Sequence, residues 1–263
     1  LTANQDGFAR IDSVVGWCRE TGLYLILDMH DAPGGQTGDN IDDSYGYPWL
    51  FESEASQQLF CNIWKKIAAY YKNEPVILGY ELANEPIAPY FSNMEELNGK
   101  LESLYKRAAI REVDTNHIIL LGGAQWNGNF SPFTDSTFDD KIMYTCHRYG
   151  GNASKAAIQE IIDFRDRVNL PMYMGEIGHN TEAWQNAFCH VMEENNIGWT
   201  FWPYKKIDKS SFAGIKAPAG WDAVVAFSEA PRGTYQEIRD ARPDQETAKA
   251  ALTEFIENSR IQQ

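Results

Sequence analysis

Six short apolar runs, each of strand length and each followed by polar residues, constrain the fold of this chain most. They lie at residues 23–29, 76–83, 117–122, 141–146, 170–175 and 197–202. Runs with little polar–apolar alternation are typical of strands covered on both faces, as in a parallel sheet wrapped by helices. Segments with helical spacing separate the runs, at residues 4–20, 60–71, 94–113, 153–168 and 181–194. This alternation predicts a parallel α/β fold, most simply a (β/α)8 TIM barrel.

Composition narrows the class of protein. The chain has 263 residues, 43% of them hydrophobic and 13% aromatic, which is about the size of one barrel domain. We therefore expect a single domain over residues 1–263. A formal net charge of -14 argues against nucleic acid or an anionic membrane as a partner and favours a neutral substrate. No apolar run approaches the roughly 18 residues that a membrane-spanning helix requires.

The four cysteines do not define a redox compartment. Cys18, Cys61, Cys146 and Cys189 are scattered, with no Cys-x-x-Cys pair and no zinc-type spacing. Three lie in predicted helices and one in a predicted strand, where buried free thiols are the commoner finding. Four cysteines allow three pairings, and the sequence does not choose among them.

Polar and aromatic residues stand where the predicted strands end, and the carboxyl ends of barrel strands share one face. The clearest case is residues 76–86, whose apolar run closes on Asn84-Glu85, because Pro86 lacks an N–H and ends the strand. The residues at these exits are His30, Asn84, Glu85, Gln125, Trp126, His147, Tyr149, Glu176 and Trp202. Two carboxylates beside aromatic platforms suit glycoside hydrolysis, in which one protonates the leaving oxygen and the other attacks or activates water.

The motifs at these exits resemble glycoside hydrolase family 5, of clan A. They occur in the family's order and spacing from about residue 4 to 204, as Leu27-Asp28-Met29-His30, Asn84-Glu85-Pro86, His147-Arg148-Tyr149, Gly175-Glu176-Ile177-Gly178 and Trp199-Thr200-Phe201-Trp202. The resemblance implies a retaining O-glycosyl hydrolase that acts on a β-linked polysaccharide, either β-glucan or hemicellulose. We expect it to need no cofactor and no metal, and to be a monomeric, secreted or cell-surface protein.

The resemblance also implies roles for individual residues. By position, Glu85 resembles the family's acid/base and Glu176 its nucleophile. Asn84 would bind the 2-hydroxyl of the sugar being cleaved, and Tyr149 would contact the nucleophile. The remaining candidates for substrate binding are the subsite residues His30 and His147, the subsite floor Trp202 and the outer platform Trp126, with Trp49 a weaker candidate.

By the same resemblance, the chain begins inside the barrel. Residues 23–29 resemble the family's third strand and residues 4–20 its second helix, and the chain opens at Leu1 rather than Met. The first two strands, and the strand-two arginine that pairs with the nucleophile, then have no counterpart here. We expect exposed strand edges, and a 263-residue polypeptide that aggregates and has little activity when isolated.

Two other functions stay open. In a metal-dependent barrel hydrolase, His30, His147 and His179 would converge, but the chain has no His-x-His or His-Glu-x-x-His motif. A non-catalytic carbohydrate-binding barrel would tolerate loss of either glutamate. The glycan, its linkage and endo or exo action also stay open. A long loop at residues 31–52 is a predicted binding loop that could wall off one end of a groove or build a subsite.

Overall fold

The computed structural model describes residues 5–207 and 211–260, and its centre is a six-stranded parallel sheet. The strands are β1 (Leu25–Asp28), β2 (Ile77–Glu81), β3 (Ile118–Gly122), β4 (Ile142–His147), β5 (Met172–Gly178) and β6 (Gly198–Trp202). They are hydrogen-bonded in chain order, from β1 at one edge to β6 at the other. All six predicted strands are therefore confirmed, with ends that differ by three residues at most.

Helices lie before the first strand, between consecutive strands and after the last. They are α1 (Gln5–Thr21), α2 (Glu54–Tyr71), α3 (Met94–Lys106), α4 (Ala124–Asn127), α5 (Gln159–Val168), α6 (Glu182–Glu194), α7 (Trp221–Glu229), α8 (Tyr235–Asp240) and α9 (Gln245–Asn258). In α2, helical spacing of apolar residues produces one buried face, and the Ser53 side chain caps the helix by accepting from the Ser56 N–H.

The helix predicted at residues 94–113 is wrong in its second half. It ends at Lys106, and Ala109 then adopts a left-handed backbone with φ of 59°. A single turn of 3₁₀ helix follows at Ile110–Glu112. The prediction extended past this break because Ile110 is also buried and continues the helical spacing of apolar residues. Such spacing does not reveal a local change in the sign of φ.

Burial differs sharply between the middle of the sheet and its first edge. Tyr80 in β2, Leu120 in β3 and Tyr144 in β4 are completely buried. Just before β1, Leu23 and Tyr24 are 62% and 73% exposed. Among the described residues β1 pairs only with β2, which agrees with the open edge expected at the first predicted strand. Aggregation and low activity of the isolated polypeptide stay predictions.

The chain divides into two compact units. One comprises Leu1–Ile177 and Asn186–Thr200, and the other Gly178–Gln185 and Phe201–Gln263.

Strands alternating with helices match part of a (β/α)8 TIM barrel, as predicted. A single catalytic domain over residues 1–263 stays a prediction.

Two further predictions can be compared with the described residues. All four cysteines are free, and two of them, Cys61 and Cys146, are buried. Among residues 5–207 and 211–260, no helix is both long and apolar enough to cross a membrane.

Candidate active site

Three strand ends bring Glu85, His147 and Glu176 together. One carboxylate oxygen of each glutamate and one ring nitrogen of His147 all lie within 4.8 Å of one another. His147 Nδ1 is 2.9 Å from Glu85 Oε1 and 3.4 Å from Glu176 Oε2. The imidazole is 2% exposed, so it forms a buried bridge between the two carboxylates.

Local features of β4 and β5 place this imidazole. The register of the two strands shifts between Cys146 and His147, and the shift sets His147 opposite Glu176. Gly175 leaves room for the ring, because a Cβ there would lie 3.1 Å from His147 Nε2 and 2.5 Å from Thr145 Oγ1. A larger residue at position 175 would therefore displace His147.

The backbone that carries Glu85 is strained and is held by the long loop. Glu85 and Ile87 have φ of 46° and 58°, values that are uncommon for residues other than glycine. Gln36 Nε2 donates to the Asn84 carbonyl at 2.9 Å, and Thr37 Oγ1 donates to the Glu85 carbonyl at 2.8 Å. Gln36 and Thr37 are both completely buried. Part of the predicted binding loop thus clamps the peptide that carries Glu85.

His30 and Asn84 form a second polar group beside the first. His30 Nδ1 lies 2.9 Å from Asp28 Oδ2, and its Nε2 lies 3.3 Å from Asn84 Nδ2. The hydrogen bond with Asp28 raises the pKa of His30, against the opposing effect of burial. Asp28 thereby fixes the orientation of the imidazole, and Asn84, which is 2% exposed, is held at a defined position.

Tyr149 contacts Glu176, as the sequence predicted. Its hydroxyl donates to Glu176 Oε2. Burial raises the pKa of Glu176, and this effect outweighs the lowering by His147 and Tyr149. Burial also raises the pKa of Tyr149. The phenol therefore keeps its proton near neutral pH and donates a hydrogen bond to the carboxylate.

Sequence reasoning missed two residues of this cluster, Glu81 and Asn127. Asn127 Nδ2 lies 3.0 Å from His147 Nε2 and 3.4 Å from Glu81 Oε1. Burial raises the pKa of Glu81 to about 8. A carboxylate inside the apolar run at residues 76–83 was the available signal for Glu81. Asn127 gave no comparable signal, because its place depends on a short helix after β3 and on the absent side chain of Gly122.

Comparison with known proteins identifies the family. A family model, Cellulase (glycosyl hydrolase family 5), matches residues 1–207. The chain belongs to glycosyl hydrolase family 5. This confirms the resemblance drawn from the strand-end motifs, and the chain is an O-glycosyl hydrolase of the endoglucanase type.

Individual relatives of this family 5 hydrolase differ in their activities. It is 25% identical over 282 residues to Endoglucanase C of Acetivibrio thermocellus. The matched region covers 84% of this chain and 79% of that protein. It is 33% identical over 240 residues to a beta-xylosidase of Phanerodontia chrysosporium, covering 77% and 49% of the two chains. The crystal structure of endoglucanase Cel5A from Thermotoga maritima matches with a TM-score of 0.60 and 18% identity, over 91% of this chain and 79% of that one. The structural match supports the fold.

The aromatic candidates of this family 5 hydrolase lie in different surroundings. Trp126 is 37% exposed and meets Tyr90 edge-on, with ring centroids 6.4 Å apart. Trp49 packs against Tyr47 in the long loop, with centroids 4.9 Å apart. Trp202 ends β6 and is 45% exposed, but it belongs to the second compact unit, so its place under a sugar stays a prediction.

The metal-dependent alternative used His30, His147 and His179 as ligands. His179 contacts Lys206, 2.5 Å away, inside the second compact unit. The three-histidine metal site stays an alternative.

Proposed function

We propose that this family 5 hydrolase cleaves a β-linked glucan or hemicellulose with retention of anomeric configuration, using Glu176 as nucleophile and Glu85 as acid/base. One observation carries the proposal: an oxygen of Glu85 and an oxygen of Glu176 lie within 4.8 Å of each other. Retaining enzymes place their carboxyl groups about 5–5.5 Å apart, whereas inverting enzymes need about 6.5–9.5 Å to fit a water molecule.

The reaction then has two steps. In the first, a Glu176 carboxylate oxygen bonds to the anomeric carbon while Glu85 gives its proton to the departing glycosidic oxygen. In the second, Glu85 takes a proton from water, and the resulting hydroxide bonds to the same carbon and releases Glu176. The water proton ends on Glu85, which restores the starting state.

The neighbouring residues support these steps. The Tyr149 hydroxyl holds one Glu176 oxygen, which leaves the other free to attack. Asn84, buried beside His30, binds the 2-hydroxyl of the sugar, and Asp28 keeps His30 oriented toward the same group. Trp202 supplies the floor of the cleavage subsite and Trp126 an outer platform, since flat aromatic faces cover the C–H surface of a pyranose.

The charges set the expected pH dependence. Burial raises the pKa of Glu176, so its ionised form gains population only as the pH climbs past the usual range of a glutamate. Turnover requires this ionised form and therefore rises with pH on the acid side. On the alkaline side, turnover falls when the acid/base loses its proton.

Leaving-group dependence tests the two roles. In a catalytically competent form of the protein, Glu85→Ala should lose most turnover on substrates with poor leaving groups and little glycosylation rate on activated aryl glycosides. Glu176→Ala should lose turnover on both while it retains sugar binding. Proton NMR of the first product should show the β anomer for a β-linked substrate. An α product, or equal and modest losses in the two variants, would contradict the proposal.

Two controls separate the alternatives. Loss of activity on treatment with a chelator, restored by a divalent metal, would favour the metal-dependent hydrolase. Binding of oligosaccharide without turnover in the full protein would favour the carbohydrate-binding barrel.

We assign the substrate only to a class, the β-linked polysaccharides of plant cell walls. Relatives named endoglucanase and beta-xylosidase point to β-linked plant cell-wall polymers, and the negative net charge fits a neutral glycan. A polymer of this kind does not enter cells, so we place the enzyme outside the cell or on its surface, as a monomer. Turnover on a panel of β-glucans, xylans and mannans would define the substrate.

A further inference from the structure

A third carboxylate, Glu81, is buried beside His147, and the two reaction steps give it no role. We propose that Glu81, together with Asn127, is a positioning residue that holds His147 between the two reacting carboxylates and keeps its ring protonated. The proposal rests on the roles proposed for Glu85 and Glu176.

Glu81 reaches the imidazole from the side opposite Glu85. It is the last residue of β2, paired with Asp28 of β1, and its side chain is 7% exposed. Its Oε1 lies 3.9 Å from His147 Nε2, while Glu85 faces Nδ1 of the same ring at 2.9 Å. Both nitrogens of His147 thus face a carboxylate.

Asn127 connects Glu81 to the ring. Its Nδ2 lies within hydrogen-bond reach of both His147 Nε2 and Glu81 Oε1. Its Oδ1 is buried and has no hydrogen-bond partner in the described part of the chain. A half-turn of the amide would bring Oδ1 to the ring, where it would accept from a protonated Nε2. Asn127 can therefore serve the ring in either protonation state, and in both it keeps the imidazole in place.

The charges around His147 favour the protonated ring. Burial lowers the pKa of His147, but the hydrogen bond to Glu85 and the charges of Glu176 and Glu81 outweigh burial and raise it. The groups that face Glu81 in turn are Asp28, His147, Glu176, the Asn127 amide, the hydroxyls of Tyr105 and Tyr173 and the Cys146 thiol.

The pKa of Glu81 indicates how this arrangement could act during catalysis. With a pKa of about 8, Glu81 becomes charged as the pH rises above neutrality. A new negative charge beside His147 holds the proton on the ring, and the charged ring and Glu81 act on the Glu85–Glu176 pair from a fixed place. Stability alone does not explain a glutamate at position 81, because burying a carboxylate without strong hydrogen-bond donors destabilises the fold.

Glu81→Gln tests the proposal because it keeps size and hydrogen bonding and removes only the charge. The alkaline limb of kcat/KM should move to lower pH by about half a unit or more, with little change in KM near the optimum. In histidine-detected NMR titrations, the pKa of His147 should fall in the variant. Asp114→Asn is the matched control: this buried carboxylate also bonds a histidine, His117, so its loss should lower stability and leave the pH profile unmoved.

The outcomes separate this inference from the proposed function. An unchanged alkaline limb and an unchanged His147 titration in a folded Glu81→Gln protein would overturn the inference, even if the product retains its configuration. If that variant does not fold, the unaltered protein decides, because His147 titrating at or below about 6.5 would show that the carboxylates do not hold its proton. An inverted product would instead overturn the proposed function and leave the NMR result standing.

Discussion

Two buried carboxylate–histidine pairs lie at opposite ends of the sheet, and they differ in how many donors each carboxylate receives. Before β3, Asp114 accepts from the Tyr80 hydroxyl and from the N–H groups of Asn116 and His117, and contacts the His117 ring at 2.6 Å. These donors outweigh burial and lower the pKa of Asp114. At the carboxyl end, Glu176 has a raised pKa. The number of hydrogen-bond donors around a buried carboxyl group therefore decides its pKa. With many donors the group is a stable structural anion, and with few it is a reactive carboxyl group.

Several strained backbone positions lie beside the carboxylate pair, although Ala109, Asn169 and Asn196 also have positive φ at the other end of the sheet. At the carboxyl ends of β2 and β3, residues other than glycine take positive φ values, namely Glu85, Ile87, Gln125, Trp126 and Asn127. The Asp114–His117 turn has no such residue. Strain of this kind persists only where surrounding contacts over-determine the backbone. At Glu85, the buried side chains of Gln36 and Thr37 supply such contacts.

The largest effect is expected at Glu176. Glu176→Gln should reduce kcat by about four orders of magnitude or more, because the nucleophile is lost. The same change should increase thermal stability near neutral pH. The folded pKa of Glu176 is raised, so ionisation destabilises the fold progressively as the pH rises past the ordinary glutamate value, and glutamine has no such cost. Melting temperatures at about pH 4 and about pH 7 would show the difference widening with pH; a less stable variant at neutral pH would break the comparison.

Asp114→Asn should have the opposite effect. It should lower the free energy of unfolding by about 2 kcal/mol, since charge-assisted hydrogen bonds to Asp114 are lost, and leave kcat/KM nearly unchanged. Because the folded pKa of Asp114 is lowered, its contribution is present above the ordinary value of about 3.9 and disappears as the pH falls through the folded pKa. Denaturant unfolding at neutral and acid pH measures this. A kinetic defect as large as the stability defect would mean that the two ends are not independent.

Thr37→Val should have a moderate effect, and a kinetic one. Removing the hydroxyl that donates to the Glu85 carbonyl should lower kcat/KM about fivefold, the equivalent of about 1 kcal/mol, because the strained peptide loses a support. Thr137→Val is the matched control, since that hydroxyl donates to Asp135 and not to the peptide of Glu85. Steady-state kinetics on one polysaccharide would compare them. Equal kinetics in the two variants would show that the loop does not position Glu85.

Trp126→Ala should have the smallest effect and only on long substrates. Loss of an outer platform should weaken binding of longer oligosaccharides by about 1 kcal/mol and leave short aryl glycosides unaffected. Trp49→Ala should do less, because its ring packs against Tyr47 within the loop. Isothermal titration with oligosaccharides of increasing length, on inactive Glu176→Gln protein, would measure both. Losses that do not depend on chain length would remove Trp126 from the list of platforms.

Much of the fold could be predicted because its signals are local. Apolar runs of strand length recur between helical patterns, and each strand end carries its own polar residues, as in Asn84-Glu85. Helix bounds were less accurate, since the break at Ala109 leaves the apolar spacing intact. Parallel topology then brings the strand ends to one face, which is why the neighbours of Glu176 could be named in advance.

The sequence by itself determined the positions of the strands, the family and the two candidate catalytic glutamates, because these depend on patterns within short segments. Only the tertiary structure decided which groups surround each glutamate. Glu81 reads as an ordinary charged residue until β4 brings His147 to it, and Asn127 reaches the same ring only because Gly122 leaves space. The pKa of a buried carboxyl depends on donors and charges a few ångströms away, and residues distant along the chain supply them.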